Sequence, residues 1–347
     1  MKVGLVGLPG SGKTTLFRAI TCSEGHGDPF RTVDVPDPRV DALAEIFQPR
    51  KKVYAKVDVH DFPGLGADPR SEASLMASMR DTDALAIVVR GFESNTYPYE
   101  DPAVDVKRDL ETLVGSFQVA DFMMIENRIS KLEKTVNKPT KTQERDKKEL
   151  ELLLRLKEAL EGGSLIEDVP LKASEEELIR GFRFLTQKPS LVVASLPDDG
   201  AGAEEALARV PETFQRRLCL RGSLEAEIAM LDPEDAATFM EEYGLREPAR
   251  DALLAALYDL LGLCSFLTAG EDECRAWTVR RGASALEAAG AIHSDIQRGF
   301  IRAEVVSCED LLRAGGLKEA KAANLLRLEG KDYVVRDGDI LNFRFSV

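Results

Sequence analysis

Histidine is scarce in this chain: His26, His60 and His293 are the only three in 347 residues. There is no His-Glu-x-x-His and no Gly-x-Ser-x-Gly, so zinc-protease and serine-hydrolase chemistry lack their motifs. Cysteine is sparse and odd in number: Cys22, Cys219, Cys264, Cys274 and Cys308. None forms a Cys-x-x-Cys pair or has a His at zinc-ligand spacing. That excludes a disulfide framework and a zinc ribbon, and fits free thiols in a reducing compartment. No apolar run reaches the ~20 residues of a membrane helix. The most apolar stretch, residues 252–268, carries Asp259 and reads as a buried helix. The start, Met-Lys-Val-Gly-Leu-Val-Gly, is too short and glycine-broken for a signal peptide. These absences predict a cytoplasmic protein with no membrane partner. Positive charge is in deficit, with 46 Lys and Arg against 60 Asp and Glu, a net of −14. That excludes a duplex-coating protein and predicts no sequence-specific DNA partner, while leaving room for one local basic element.

What is present is ordinary for a folded chain: 44% apolar and 31% charged residues. Chains beyond about 250–300 residues split their cores, so two or three domains are expected. Residues 2–8 form a short, glycine-interrupted β-like run, and residues 13–21 read as a helix. Residues 57–60 alternate like a strand. Residues 84–89 and 191–194 are continuous apolar runs, the signature of strands buried on both faces. Strands separated by helical stretches predict a mostly parallel sheet flanked by helices. Between the two apolar runs the period changes. Phe122, Ile125, Ile129, Leu132 and Val136 follow a 3-4-3-4 seam. Pro139 breaks it, and Leu150, Leu153, Leu156 and Leu160 mark a second helix that ends at Gly162-Gly163. Two helices around one turn predict an antiparallel hairpin inserted into the sheet domain. Residues 225–263 read as mostly helical, and the last 80 or so as a small α+β domain.

One motif carries chemistry. Gly7-Leu8-Pro9-Gly10-Ser11-Gly12-Lys13-Thr14 matches G-x-x-x-x-G-K-[ST] between a predicted strand and helix. Glycines let successive backbone N–H groups turn inward around phosphate oxygens, and the following helix aims its positive end at the same anion. Pro9, Gly10, Ser11, Gly12, Lys13, Thr14 and Thr15 are the expected phosphate-binding residues. Lys13 reaches the β- and γ-phosphates, and the Thr14 hydroxyl is a Mg²⁺ ligand. Asp61-Phe62-Pro63-Gly64 follows the next strand. Asp61 is the expected second Mg²⁺ ligand, directly or through water, and the Gly64 backbone senses the γ-phosphate. Lys13, Asp61 and Gly64 are thus the candidate catalytic set. Ser195, Leu196 and Asp198 occupy the place of a base-recognition loop, and Gly222 ends a later strand near it. The ligand expected is ATP or GTP with Mg²⁺.

From residue 131 to 148 the sequence holds seven basic residues (Lys131, Lys134, Lys138, Lys141, Arg145, Lys147, Lys148) against three acidic ones (Glu133, Glu144, Asp146). On an acidic protein this hairpin tip, with Lys138, Lys141, Lys147 and Lys148 foremost, is the expected contact for ribosome or RNA phosphates.

Together these residues resemble the YchF family, the Obg-like ATPases. The resemblance is densest at Arg275-Ala276-Trp277-Thr278, Ile292-His293-Ser294-Asp295, Arg298-Gly299-Phe300-Ile301 and residues 330–347. Pro36-Asp37-Pro38-Arg39 and residues 225–229 share it. It implies an α/β P-loop NTPase fold with a mostly parallel sheet, an inserted antiparallel helical hairpin, and a C-terminal β-grasp (ubiquitin-like) TGS domain. The division it implies is 1–116 plus 181–262 for an OBG-type nucleotide-binding domain, 117–180 for the hairpin and 263–347 for the TGS-like domain. It further implies slow ATP or GTP hydrolysis and a ribosome partner, met by the hairpin and the TGS-like domain. Departures from the family pattern are plain. Gly10 stands where the family has Asn, Ser195-Leu196-Pro197-Asp198 replaces its Asn-x-x-Glu, and the segments before Pro36 and after Gly64 are shortened. Thr32 is the stand-in for its switch threonine. The departures keep open a hydrolysis-deficient nucleotide-binding scaffold or switch. A small nucleotide kinase is a further alternative, although the lid arginines it needs are not evident. His60 and His293 are read as structural or turn residues, and Trp277 as a core residue of the last domain.

Overall fold

The computed structural model describes residues 1–23, 28–66, 72–94, 103–136, 142–214 and 216–346. His26, Lys138, Lys141, the break at 137–140 and the segment 67–70, all singled out above, lie outside them. The chain divides into two compact units: Met1–Arg31 with Asp58–Arg250, and Thr32–Val57 with Asp251–Val347. Residues 32–57, expected within the nucleotide-binding part, therefore belong to the second unit.

The strands are β1 (Lys2–Val6), β2 (Phe30–Val35), β3 (Lys51–Val53), β4 (Ala55–Asp61), β5 (Ala84–Arg90) and β6 (Ser190–Ser195). They continue with β7 (Arg217–Leu220), β8 (Leu263–Ala269), β9 (Glu273–Arg280), β10 (Phe300–Ser307), β11 (Arg327–Glu329) and β12 (Asp339–Phe345). Among the described residues they form two six-stranded sheets.

The first sheet has the order β2-β4-β1-β5-β6-β7. Its pairings β1–β4, β1–β5, β5–β6 and β6–β7 are all parallel. All seven residues of β5 are buried, which is why its sequence is apolar without alternation. Parallel pairing brings the carboxyl ends of β1, β4, β5, β6 and β7 to one edge. β1 has β4 on one side and β5 on the other, so the connections diverge there. A crevice at such a point is where open α/β sheets bind ligands.

Helix α1 (Lys13–Thr21) buries Leu16, Phe17, Ala19 and Ile20. Helices α2 (Pro38–Phe47) and α3 (Glu72–Arg80) follow, then α4 (Val106–Glu133) and α5 (Gln143–Glu161). α4 has 28 residues, about 42 Å of helix. Asp105 caps it, accepting from the N–H groups of Lys107 (3.0 Å) and Arg108 (3.2 Å). Its first turns place Val106, Leu110, Leu113 and Phe117 in the core of the parallel sheet. Its later turns place Ile125, Ile129 and Leu132 against Leu152, Leu153, Leu156 and Leu160 of α5. One unbroken helix serves both cores, so the boundary expected at 116/117 falls inside it. Gln118 donates to the carbonyl of Gly163 (3.0 Å), Lys157 to Glu126 (2.7 Å) and Arg128 to Glu149 (2.6 Å). Partners later on α4 thus meet positions earlier on α5, and the two helices run in opposite directions.

Asp121 of α4 is fully buried. It accepts from Arg80 (2.6 Å), from the N–H groups of Leu185 (3.1 Å) and Thr186 (2.8 Å), and from the Thr186 hydroxyl (2.7 Å). This carboxylate pins α4 to the end of α3 and to the segment entering β6.

The second unit holds a mixed sheet, β11-β10-β12-β8-β9-β3. β8 and β9 are antiparallel, β12 joins β8 in parallel, and β10 pairs antiparallel with β12 and β11. A helix, Ala285–Ile292, starts at a capping box: the Glu287 N–H donates to the Ser284 hydroxyl, and the Ser284 N–H donates to the Glu287 carboxylate. Trp277 is half-buried rather than central, with Arg275 4.0 Å above its ring. The Nδ1 of His293 accepts from the Asp295 N–H (3.1 Å) and caps a short turn of helix. The apolar stretch 252–268 is not one buried helix. It splits into a helix, Ala249–Leu260, and strand β8, with Gly262 at φ +59° between them. Glycine supplies the left-handed break that continuous apolarity hides. Among the described residues no helix is long and apolar enough to cross a membrane.

Candidate functional site

The turn after β1 leads straight into α1. Gly12 caps α1 in a left-handed conformation (φ +94°), and its carbonyl accepts the first helical bond from Leu16 (2.9 Å). A Cβ on Gly12 would stand 2.7 Å from the Ser195 hydroxyl, so glycine is required twice over. Among the described residues no side chain caps the start of α1, which suits its first N–H groups to an anion.

β4 delivers the second half. Parallel register sets Asp61 level with Leu5. The turn beyond it is stitched to the phosphate-type loop: the Phe62 N–H donates to Leu5 and the Leu65 N–H to Gly7, both at 3.1 Å. A Cβ on Gly64 would meet the Pro9 nitrogen at 2.8 Å, so only glycine permits this approach. The Thr14 hydroxyl donates to Asp61 Oδ2 at 2.7 Å. Among the described residues the other carboxylate oxygen of Asp61 is buried without a partner, as is the Ser11 hydroxyl. Burial raises the Asp61 carboxyl above the usual range, against the Thr14 hydrogen bond and the Lys13 charge, which act the other way. Lys13 is only 7% exposed. Burial lowers its ammonium below the usual lysine range, and the Asp61 charge opposes that. A buried ammonium and a half-buried carboxylate thus attract each other beside the start of α1.

A cavity of about 820 Å³ opens here, and Gly10, Gly12, Lys13, Thr14, Thr15, Asp61, Ser195, Leu196 and Asp198 line it. Ser11 and Gly64 are not among its described lining residues. Pro9 contacts Gly64, and Gly222 backs onto Ser195 and Thr15. Asp198 is exposed and accepts from the Leu224 N–H at 3.2 Å. Thr32 lies on β2 in the second unit and is exposed. His60, next to Asp61 in the chain, packs between the rings of Phe30 (5.7 Å) and Phe62 (4.6 Å).

Several lining residues were not among those singled out by sequence: Arg18, Phe92, Glu93 and Ser94. Their common trait is position one turn beyond a motif or just past a strand end. Lys147 and Lys148 of the basic segment are exposed on α5. Lys147 has one weak ion pair, to Glu144 at 4.0 Å.

Residues 2–155 match a family model described as 50S ribosome-binding GTPase. Residues 263–346 match the C-terminal YchF GTPase model, described as a protein of unknown function (DUF933). The chain is 38% identical over 368 aligned residues to the ribosome-binding ATPase YchF of Bacillus subtilis, covering 100% of both. It is 33% identical to Obg-like ATPase 1 of Oryza sativa, across 100% of this chain and 92% of that protein. A solved structure, the YchF GTPase of Schizosaccharomyces pombe, matches with a TM-score of 0.88 at 27% identity, over 99% of this chain and 97% of that one.

Proposed function

This chain belongs to the YchF family, and on that premise we propose that it is a ribosome-associated switch that binds and slowly hydrolyses ATP or GTP with Mg²⁺. The observation that carries the proposal is the convergence of Lys13, Thr14 and Asp61 beneath the open N–H groups at the start of α1. The residues fit a magnesium ion. Thr14 and Asp61 offer two hard oxygens, one carboxylate oxygen is buried without a partner among the described residues, and Mg²⁺ would take its remaining ligands from phosphates and water. No cluster of three or more His, Cys, Asp or Glu exists among the described residues, which suits Mg²⁺ better than an all-protein cage. When bound, Mg²⁺ neutralises charge on the β- and γ-phosphates.

The protein's own groups supply the rest. The N–H groups of Gly12 to Thr14 orient the phosphates, and the Lys13 ammonium stabilises negative charge as the γ-phosphoryl leaves. The Gly64 N–H, held against Pro9, reads the γ-phosphate. No Gln follows Gly64 to orient the attacking water, which supports a slow intrinsic rate. The ribosome reading rests on the relatives' names and on the exposed Lys147 and Lys148, with Lys138 and Lys141 completing the basic segment. It makes the protein cytoplasmic. We read α4 and α5 as the inserted helical hairpin and the second unit's mixed sheet as the β-grasp TGS-like domain.

Titration with non-hydrolysable ATP and GTP analogues, with and without Mg²⁺, tests the proposal. Mg²⁺-dependent binding is expected, and a tenfold preference, about 1.4 kcal/mol, identifies the base. No binding of either would overturn it. Tight binding without phosphate release from ATP or GTP would leave a nucleotide-binding scaffold.

A further inference from the structure

β5 ends in a charge. Arg90 is 1% exposed and is the bulkiest of the fully buried side chains. A buried guanidinium is costly unless its donors are used. Two of them are used on the candidate nucleotide site. Nη1 donates to the Gly10 carbonyl at 3.3 Å, and Nε donates to the Phe92 carbonyl at 2.9 Å. The guanidinium carbon also lies 4.5 Å over the Phe92 ring, within cation–π range.

A phosphate loop that turns its N–H groups inward must turn carbonyls outward, and an outward carbonyl needs a donor. Arg90 supplies it at Gly10. The approach is close: a Cβ on Gly10 would stand 3.2 Å from Nη1. The other half of the fork fixes Phe92, whose ring is 3.5 Å from the Cβ position of Gly12 and lines the cavity. Between them the Gly91 N–H donates to Ser195 at 2.8 Å, joining the same segment to the base-side loop. One planar fork therefore spans the phosphate loop and the cavity wall, a geometry a lysine cannot reproduce.

We infer that Arg90 is a positioning residue of the nucleotide site: it sets the phosphate loop through the Gly10 carbonyl and the nucleoside-side wall through Phe92. The inference rests on the nucleotide-binding reading above. Its test uses inorganic tripolyphosphate and an ATP analogue as separate calorimetric probes, both with Mg²⁺, on the full chain. Arg90→Lys should weaken both by about tenfold, the loss of one charge-assisted hydrogen bond, while the folded fraction is checked by melting. Arg90→Gln, which buries no charge and keeps an amide donor for Gly10, should recover part of the tripolyphosphate affinity and serves if the lysine variant fails to fold. Phe92→Leu should weaken the nucleotide and leave tripolyphosphate unchanged. Folded Arg90 variants that bind tripolyphosphate like the wild type would show a purely structural arginine and overturn the inference. A wild type that binds neither probe would instead defeat the nucleotide reading.

Discussion

Gly64→Ala is the perturbation whose consequence follows most closely from the geometry. The added Cβ would lie 2.8 Å from the Pro9 nitrogen and 3.0 Å from its Cα, where ordinary contact begins at 3.4 Å. Both obstacles are backbone, so a side-chain rotation cannot relieve them. The turn carrying residues 61–65 must retreat from the phosphate loop by about 0.6 Å, the difference of those two distances. Retreat strains the Leu65 to Gly7 hydrogen bond at 3.1 Å and carries the Gly64 amide away from the place proposed for the γ-phosphate. Overpacking of this kind costs about 1–3 kcal/mol. If that strain falls on the hydrolysis-competent arrangement, single-turnover phosphate release slows by about 5- to 150-fold. Gly66→Ala is the control. Gly66 has φ +85° and no described atom within 4 Å of an added Cβ. It should cost about 1–2 kcal/mol of stability and leave phosphate release within about twofold. A Gly64→Ala protein that releases phosphate at the wild-type rate would refute the claim that Gly64 is held there for the γ-phosphate.

Three further outcomes follow from the same structure. Asp61 has a folded pKa raised above its ordinary value of 3.8 by burial, so between those two values the folded state holds more protons than the unfolded one. Stability is therefore lost as pH rises through that window, and the full cost is present at neutral pH. Asp61→Asn should melt higher than wild type at pH 7 without ligand, the gap closing as pH falls towards 3.8, and should lose the Mg²⁺ dependence of nucleotide binding. A variant less stable than wild type at pH 7 would contradict this. Asp121→Ala takes the carboxylate from Arg80, which keeps a hydrogen bond to the Arg183 carbonyl (3.3 Å), and from the buried N–H groups of Leu185 and Thr186, and should cost about 3–5 kcal/mol in urea unfolding; less than about 1 kcal/mol would show that the pin is dispensable. Replacing Lys138, Lys141, Lys147 and Lys148 with Gln should weaken ribosome or RNA binding and flatten the log–log salt slope by about 3; unchanged binding would remove the hairpin from the interface.

The motif residues were legible because their chemistry is local. The helix read from residues 13–21 has those bounds in the structure, and the apolar run 84–89 is the core of β5. Asp61 was legible because a strand-end acid beside a phosphate-type loop has few other uses. Arg90 and Phe92 were not, since their role arises only when β5 is laid beside β1 and the Gly10 carbonyl comes within reach. The signal was present, a charge closing a seven-residue strand buried throughout. β2 and β3 escaped because most of their residues are exposed, so no alternation marks them. The length of α4 was hidden by its two tasks. Its first turns answer to the sheet and its last to α5, and no single seam runs along all 28 residues.

The central claim is that Lys13, Thr14 and Asp61 form a working phosphoanhydride-hydrolysing site. Single-turnover phosphate release from Mg²⁺-bound ATP and GTP, wild type against Lys13→Ala, tests it most directly. Slow release by the wild type and release at least about 100-fold slower by the variant is the expected result. Equal rates in the two proteins would contradict it.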